Sequence, residues 1–276
     1  MRTRLIIAGG AAGLMLALAG AVPAGAATAG NASLSVLHAV PGLTVDVYVN
    51  GERTLDDFTP GSLAGPLDLP PGTYTVAITA ADAADASAPA IGPIDLPLAA
   101  DMNYTAVAHL DAAGAPTATL FTNDISTTAA GQGRLTARHT AAAPAVDVLA
   151  GGSPVISGLV NPQEEVLNLP AGTISAAVAA AGTTAPVIGP ADVNVAEGVN
   201  TIVYAWGSLE AGNLQLAVQT ISGLHSAPGG VPSGELGLAA TPTSSAPVLL
   251  GAALLVAAAG AALAGRRRVA ATGARG

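Results

Sequence analysis

The stretch Leu67 to Ile78, LDLPPGTYTVAI, returns further along the chain as Leu167 to Val178, LNLPAGTISAAV. In the first copy Leu67 and Leu69 flank Asp68, Pro70-Pro71-Gly72 interrupts, and Tyr74, Val76 and Ile78 then alternate with small or polar residues. A period of two on either side of a proline–glycine break predicts strand, tight turn, strand. Pro71 and Gly72 suit the central positions of a type II turn, where proline presets a negative φ and glycine accepts a positive one. The second copy keeps Gly172 and replaces Pro71 by Ala171. The stretch therefore reads as a hairpin whose glycine is held by turn geometry.

Working outward, the repeat extends over two whole units. Leu135 to His139 matches Leu34 to His38, and Val146-Asp147-Val148 matches Val45-Asp46-Val47. Ile188-Gly189-Pro190 matches Ile91-Gly92-Pro93, and Asn200 matches Asn103. Strands are expected over Ser33–Ala39, Leu43–Asn50, Arg53–Phe58, Ile91–Leu98, Asn103–Leu110 and Pro116–Thr122. Asn50-Gly51 is a strong signal for a two-residue type I′ hairpin, because both residues accept positive φ. Short strands, regularly spaced turns and the absence of a helical period predict an all-β chain of two tandem immunoglobulin-like β-sandwich domains.

The two ends differ from this middle. Arg2 and Arg4, the apolar run Leu5 to Val22 and the small residues Ala24-Gly25-Ala26 have the layout of a secretory signal peptide, with cleavage after Ala26 or Ala29. Pro247 to Gly265 is nineteen residues without a charge, followed by Arg266-Arg267-Arg268. That length nearly crosses a hydrocarbon core of roughly 30 Å, and the arginines belong on the cytoplasmic side. The expected organisation is signal peptide 1–29, sandwich 30–126, linker 127–133, sandwich 134–222, flexible stalk 223–246, transmembrane helix 247–265 and basic tail 266–276. The expected location is the extracellular face of the cell membrane, single-pass, with a cytoplasmic C-terminus.

Leu238-Ala239-Ala240-Thr241-Pro242 precedes the apolar run and resembles the LAxTG-type cell-wall sorting signal of high-GC Gram-positive bacteria. That resemblance implies sortase cleavage after Thr241 and attachment to the wall. Pro242 stands where the glycine belongs and removes the N–H of the scissile bond, so membrane anchoring is the preferred reading and wall attachment the alternative.

Composition narrows the function classes. The chain has 276 residues and no cysteine, which excludes thiol chemistry and disulfide bracing. Between the termini three arginines face eighteen acidic residues, a net charge of −15. Such a surface argues against nucleic acid as a partner.

With VDVYVNG (45–51), LPPGTY (69–74) and the opening SVLHAVP (35–41) in view, the region Ser33 to Ser222 resembles the DUF4397 family of secreted bacterial proteins. The resemblance implies repeated β-sandwich units and a secreted location, and it carries over no activity. The second copy departs at Arg138-His139-Thr140, which replaces Leu37-His38-Ala39, and at Gly151-Gly152, which replaces Asn50-Gly51.

Candidate site residues are few. His38 and His139 are duplicated, which favours a structural role over a catalytic one; Asp46 and Asp147, also duplicated and each between two valines, read as solvent-face residues or as hydrogen-bond partners of the neighbouring strand end. A His/Asp dyad lacks a serine or cysteine in a glycine-flanked elbow. His38, His109, His139 and His225 show no zinc-ligand spacing. Asp56-Asp57, Asp82/Asp85 and Glu164-Glu165 do not follow a calcium-loop pattern and read as solvated acidic loops. Trp206, whose counterpart is His109, reads as packing and not as a sugar platform. No catalytic, cofactor-binding or metal residue is therefore assigned, and no cofactor is expected. The expectation is a non-enzymatic surface protein acting in adhesion, envelope organisation or partner binding. A cell-envelope glycan or peptidoglycan binder is the alternative.

Overall fold

The computed structural model describes residues 30–226. The signal-peptide segment, Leu238 to Pro242, the apolar run Pro247 to Gly265 and the basic tail lie outside the described residues. Among the described residues no helix is long and apolar enough to cross a membrane.

Eight strands make the first unit: β1 Ala32–Ala39, β2 Val45–Val49, β3 Glu52–Phe58, β4 Leu63–Leu69, β5 Gly72–Ala80, β6 Ile91–Leu98, β7 Asn103–Leu110 and β8 Pro116–Asn123. Eight more repeat the plan: β9 Gln132–Ala142, β10 Val146–Ala150, β11 Ser153–Leu159, β12 Glu164–Pro170, β13 Gly172–Ala180, β14 Pro186–Val195, β15 Asn200–Ser208 and β16 Gln215–Ile221. They form four four-stranded sheets, ordered β4-β1-β7-β8 and β3-β2-β5-β6, then β12-β9-β15-β16 and β11-β10-β13-β14.

Within each unit the two sheets pack face to face. Val45, Val47 and Ile78 of one sheet meet Ala108 and Leu110 of the other, and Leu96 and Leu98 meet Leu34 and Tyr104. In the second unit Val146, Val148 and Val178 meet Ala137 and Ala205.

The strand order corrects the immunoglobulin-like expectation. A constant-type immunoglobulin domain divides its strands four and three, with the first strand beside the second and the fourth beside the fifth. Here the first strand lies between the fourth and the seventh, parallel to the seventh. The local pattern of strands and turns is the same in either arrangement; only the long-range pairing separates them.

The Leu67–Ile78 stretch is not a hairpin. Leu67 pairs with Leu34 of β1, whereas Val76 pairs with Val49 of β2 and Ile94 of β6. LPPG is thus the crossover that carries the chain from one sheet to the other. Pro70 and Pro71 have no N–H to close a hairpin ladder, and the Tyr74 hydroxyl donates to Pro70 O at 2.8 Å to fix the crossing. Gly72 and Gly172 do not have positive φ, and nothing stands within 4 Å of a Cβ at either. The expected turn requirement therefore does not hold, and nothing in the structure explains these two glycines.

The Asn50-Gly51 hairpin is present. Both residues have positive φ, 51° and 86°, and Val49 pairs with Glu52 across them. Gly151 and Gly152, at 56° and 83°, make the same turn in the second unit.

The two sandwiches are fused. Leu37, Ala39, Val107 and Phe121 of the first share one core with Ile202, Tyr204 and Trp206 of the second. This is why β7 and β9 are buried along nearly their whole length: one face covers its own sandwich and the other covers the neighbour. The segment read as a linker is built in. Thr128 N–H donates to Leu224 O at 2.8 Å, and Arg134 donates to the Asp124 and Ser126 carbonyls, both at 3.0 Å.

Candidate functional site: an apolar gap in the first sandwich

The duplicated polar residues come first, because the geometry spends them locally. His38 Nε2–H donates to Leu43 O at 2.6 Å, and His139 Nε2–H donates to Pro144 O at 3.0 Å. Each imidazole thus ties its own strand to the turn that follows. Burial pushes both rings, and that of His109, below their ordinary value. His109 Nδ1–H donates to Leu110 O at 2.8 Å, and its Nε2 accepts from the Thr119 hydroxyl at 2.9 Å.

Asp46 and Asp147 serve the next strand. Asp46 Oδ1 accepts from Asp57 N–H at 3.0 Å, and Asp147 Oδ1 accepts from Gly158 N–H at 2.8 Å. Asp57 and Gly158 are equivalent positive-φ residues where the strand register shifts. A buried carboxylate thus caps the amide that each bulge frees. The Asp57 amide, followed by Arg53, holds the Asp46 carboxyl below the usual range. His38 and Asp46 do not pair with one another.

Asp46, Asp56 and Asp57 bring carboxylate oxygens within 4.8 Å of one another. Arg53 Nη1 already occupies that cluster, at 3.1 Å from Asp46 and 2.7 Å from Asp56. Asp85 caps Ser87 N–H, and Glu164 pairs with Arg138. Trp206 is 3% exposed and lies at the junction of the sandwiches, against Gly61. It presents no ring to solvent.

The junction is also where the copies differ. Leu37 of the first unit corresponds to Arg138 of the second, and Val107 to Tyr204. Arg138 is 1% exposed. It donates to Glu164 at 2.6 Å, to the Tyr204 hydroxyl at 2.8 Å and to Asn123 Oδ1 at 2.8 Å. Its guanidinium also lies 4.3 Å from the Phe121 ring centroid. Gln219 Oε1 accepts from Tyr204 and from Thr105 of the first sandwich. The substitution of Leu37-His38-Ala39 by Arg138-His139-Thr140 was legible in the sequence; that it marks an interface was not.

Among the described residues a concavity lies between the sheets of the first sandwich. A gap of about 260 Å³ is lined by aliphatic side chains such as Val36, Leu67, Val76 and Ile94, with Asn50, Glu52 and Thr54 among its few polar groups. Neither His38 nor Asp46 lines it. Edge strands β3 and β4 border one side, where Glu52, Thr54 and Leu67 are exposed. On the other side β6 touches β8.

The second sandwich has only about 30 Å³ in the corresponding place, room for about one or two waters. There β11 touches β12, and the filling residues can be read from the register. Val203 and Leu216 stand where the first sandwich has Ala106 and Ala118. Conversely, the first sandwich has the wider pair Val76–Ile94 where the second has Ala176–Ala191. Wide pairs hold the sheets apart, and alanines leave the middle unfilled. A gap of this size in one copy, closed in the other by two side chains, is a distinctive feature of the molecule.

The fold and site together define a class: a duplicated eight-strand β-sandwich, fused through its parallel-strand sheets, with an apolar gap in the first copy. Residues 32–149 match the model of the Domain of unknown function (DUF4397), so the chain carries a DUF4397 domain over that span. The match runs from β1 into β10 and so crosses the junction of the two sandwiches. No curated protein matches the chain.

Proposed function

We propose that the chain is a non-enzymatic binding protein displayed on the outer face of the cell membrane, acting in adhesion, envelope organisation or capture of a partner. The leader-like N-terminus, the apolar run Pro247–Gly265 and the arginine cluster after it support the location, with the C-terminus cytoplasmic. Attachment to the wall through Thr241 is the variant of this location that the LAATP segment suggests.

The observation that carries the binding reading is the fate of the duplicated polar residues. His38, His139, Asp46 and Asp147 each bond a main-chain group of their own unit, in the same way in both copies. Groups committed to backbone are poor candidates for proton transfer to a substrate. The glycan-binding reading has less support, since the one tryptophan is buried and stacking on a sugar needs an exposed ring.

Two measurements test the proposal. Protease treatment of intact cells expressing the chain is expected to degrade it from outside, leaving a fragment that ends in the basic tail. Purified chain is expected to bind isolated envelopes saturably. Protection from protease in intact cells, with digestion only after lysis, would sink the display reading.

A further inference from the structure

We infer that the gap in the first sandwich is a binding site for an uncharged amphiphile, a long-chain alcohol or a molecule of that chemistry. Its chain lies between the sheets, and its polar end sits beside Asn50, Glu52 and Thr54. The inference rests on the reading of the chain as a binding protein.

Size is the first support. A cavity of ~150 Å³ lined by aliphatic and aromatic side chains stays dry and takes up benzene. The gap here is about 260 Å³ with the same kind of lining. Water gains little there, because a buried water needs two to four polar partners. Tyr74 and Thr119, polar side chains on its walls, already bond Pro70 O and His109.

The mouth supplies the second. Glu52, Thr54 and Leu67 are exposed along strands that border one side, so a chain can enter without the sheets separating. Asn50 Oδ1 is taken by Thr75 N–H, which leaves its amide NH₂ as a donor. The Thr54 hydroxyl donates to Glu52 O at 3.3 Å and keeps its lone pairs as acceptors; with the Glu52 carboxylate it completes a rim suited to a hydroxyl group.

Charge decides between headgroups. Glu52 is the one carboxylate on the lining. The nearest cation in sequence, Arg53, is engaged by Asp46 and Asp56. An anionic head would meet Glu52 without a counter-ion, on a body already strongly acidic. A fatty-acid carboxylate is therefore disfavoured and an alcohol accepted.

The second sandwich is an internal control. Its Val203 and Leu216 occupy the positions of Ala106 and Ala118 and leave too little room for such a ligand.

The test uses the full chain and a decanol carrying a photoactivatable diazirine near the end of its alkyl chain. After irradiation, modified peptides are mapped by mass spectrometry. Modification is expected within residues 34–119, saturable, and displaced by excess 1-decanol but not by decanoate. The variant Ala106→Val/Ala118→Leu is expected to lose labelling at least tenfold while keeping its circular dichroism and Trp206 emission. Glu52→Gln is expected to let decanoate compete. Labelling that 1-decanol does not displace, or that survives in the filled variant with its fold intact, would overturn the site. Equal displacement of the wild type by decanoate would overturn the headgroup assignment. Because labelling reports the gap alone and protease accessibility reports display, the two readings fail separately.

Discussion

Arg138 of the second sandwich donates to Asn123 Oδ1 of the first at 2.8 Å, and both residues are buried. This bond crosses the junction of two units that the sequence presents as separate. It belongs to a network that also holds Glu164, Tyr204, Gln219 and Thr105. The network makes the pair of sandwiches one body.

Breaking this network has an asymmetric cost. Glu164→Ala leaves the buried Arg138 guanidinium without its counter-ion, whereas Arg138→Met leaves the Glu164 carboxylate, whose side chain is 30% exposed and keeps contact with water. Removing one partner of an ion pair costs ~3–5 kcal/mol where the charge left behind is buried. Urea denaturation is expected to show Glu164→Ala as the more damaging variant. The reverse order would refute the assignment of Arg138 as the buried member.

Trp206 is the sole tryptophan and lies in the shared core. Its emission therefore reports the junction. Thermal unfolding followed by Trp206 emission is expected to coincide with loss of the β-sheet circular dichroism signal, as in a single cooperative transition. A red shift that precedes loss of sheet signal would mean that the sandwiches separate before they unfold.

Acid is expected to destabilise the fold in two stages. His38, His109 and His139 are held below their ordinary value near 6.5 by burial, so the unfolded chain binds more protons than the folded one in that window. Stability is then fully present above about pH 6.5 and falls as the pH drops below it. At lower pH the Asp46 carboxylate, whose value is depressed chiefly by the Asp57 amide, adds a second loss as it protonates. Melting temperatures measured from pH 8 to pH 3 should show both limbs, with His38→Gln flattening the upper and Asp46→Asn the lower.

Asp147 accepts two main-chain amides, Gly158 and Gly182, each at 2.8 Å. Asp147→Ala leaves both without their acceptor and is expected to cost about 3 kcal/mol in denaturant titration. A loss below about 1 kcal/mol would show that water replaces the carboxylate at no penalty.

Two glycine pairs are expected to behave oppositely. At Gly92 and Gly189, φ is +93° and +85°, and a Cβ would lie 2.7 and 2.9 Å from the carbonyl oxygens of Val76 and Ala176. Alanine there should cost about 2 kcal/mol or more through strain and crowding. At Gly72 and Gly172 the φ is not positive and the space is open, so alanine should be neutral or stabilise by up to ~1 kcal/mol. Equal losses at both pairs, read from melting temperatures, would restore the turn requirement that the sequence suggests for Gly72.

Local chemistry was legible in the residues themselves. The duplication, the all-β character, the bounds of β6 and β7 and the Asn50-Gly51 hairpin follow from periodicity and from which residues tolerate positive φ. Such signals act over a few neighbours and need no knowledge of the rest of the chain. Pairing across distance was not legible in this way. Leu67 to Ile78 has the local form of a hairpin, and only the tertiary structure decided that its two halves belong to different sheets. The same holds for the junction and for the gap. Whether an apolar face covers its own sandwich or its neighbour depends on how the sheets stack. Whether alanines at 106 and 118 leave a void depends on the widths of side chains far away in sequence.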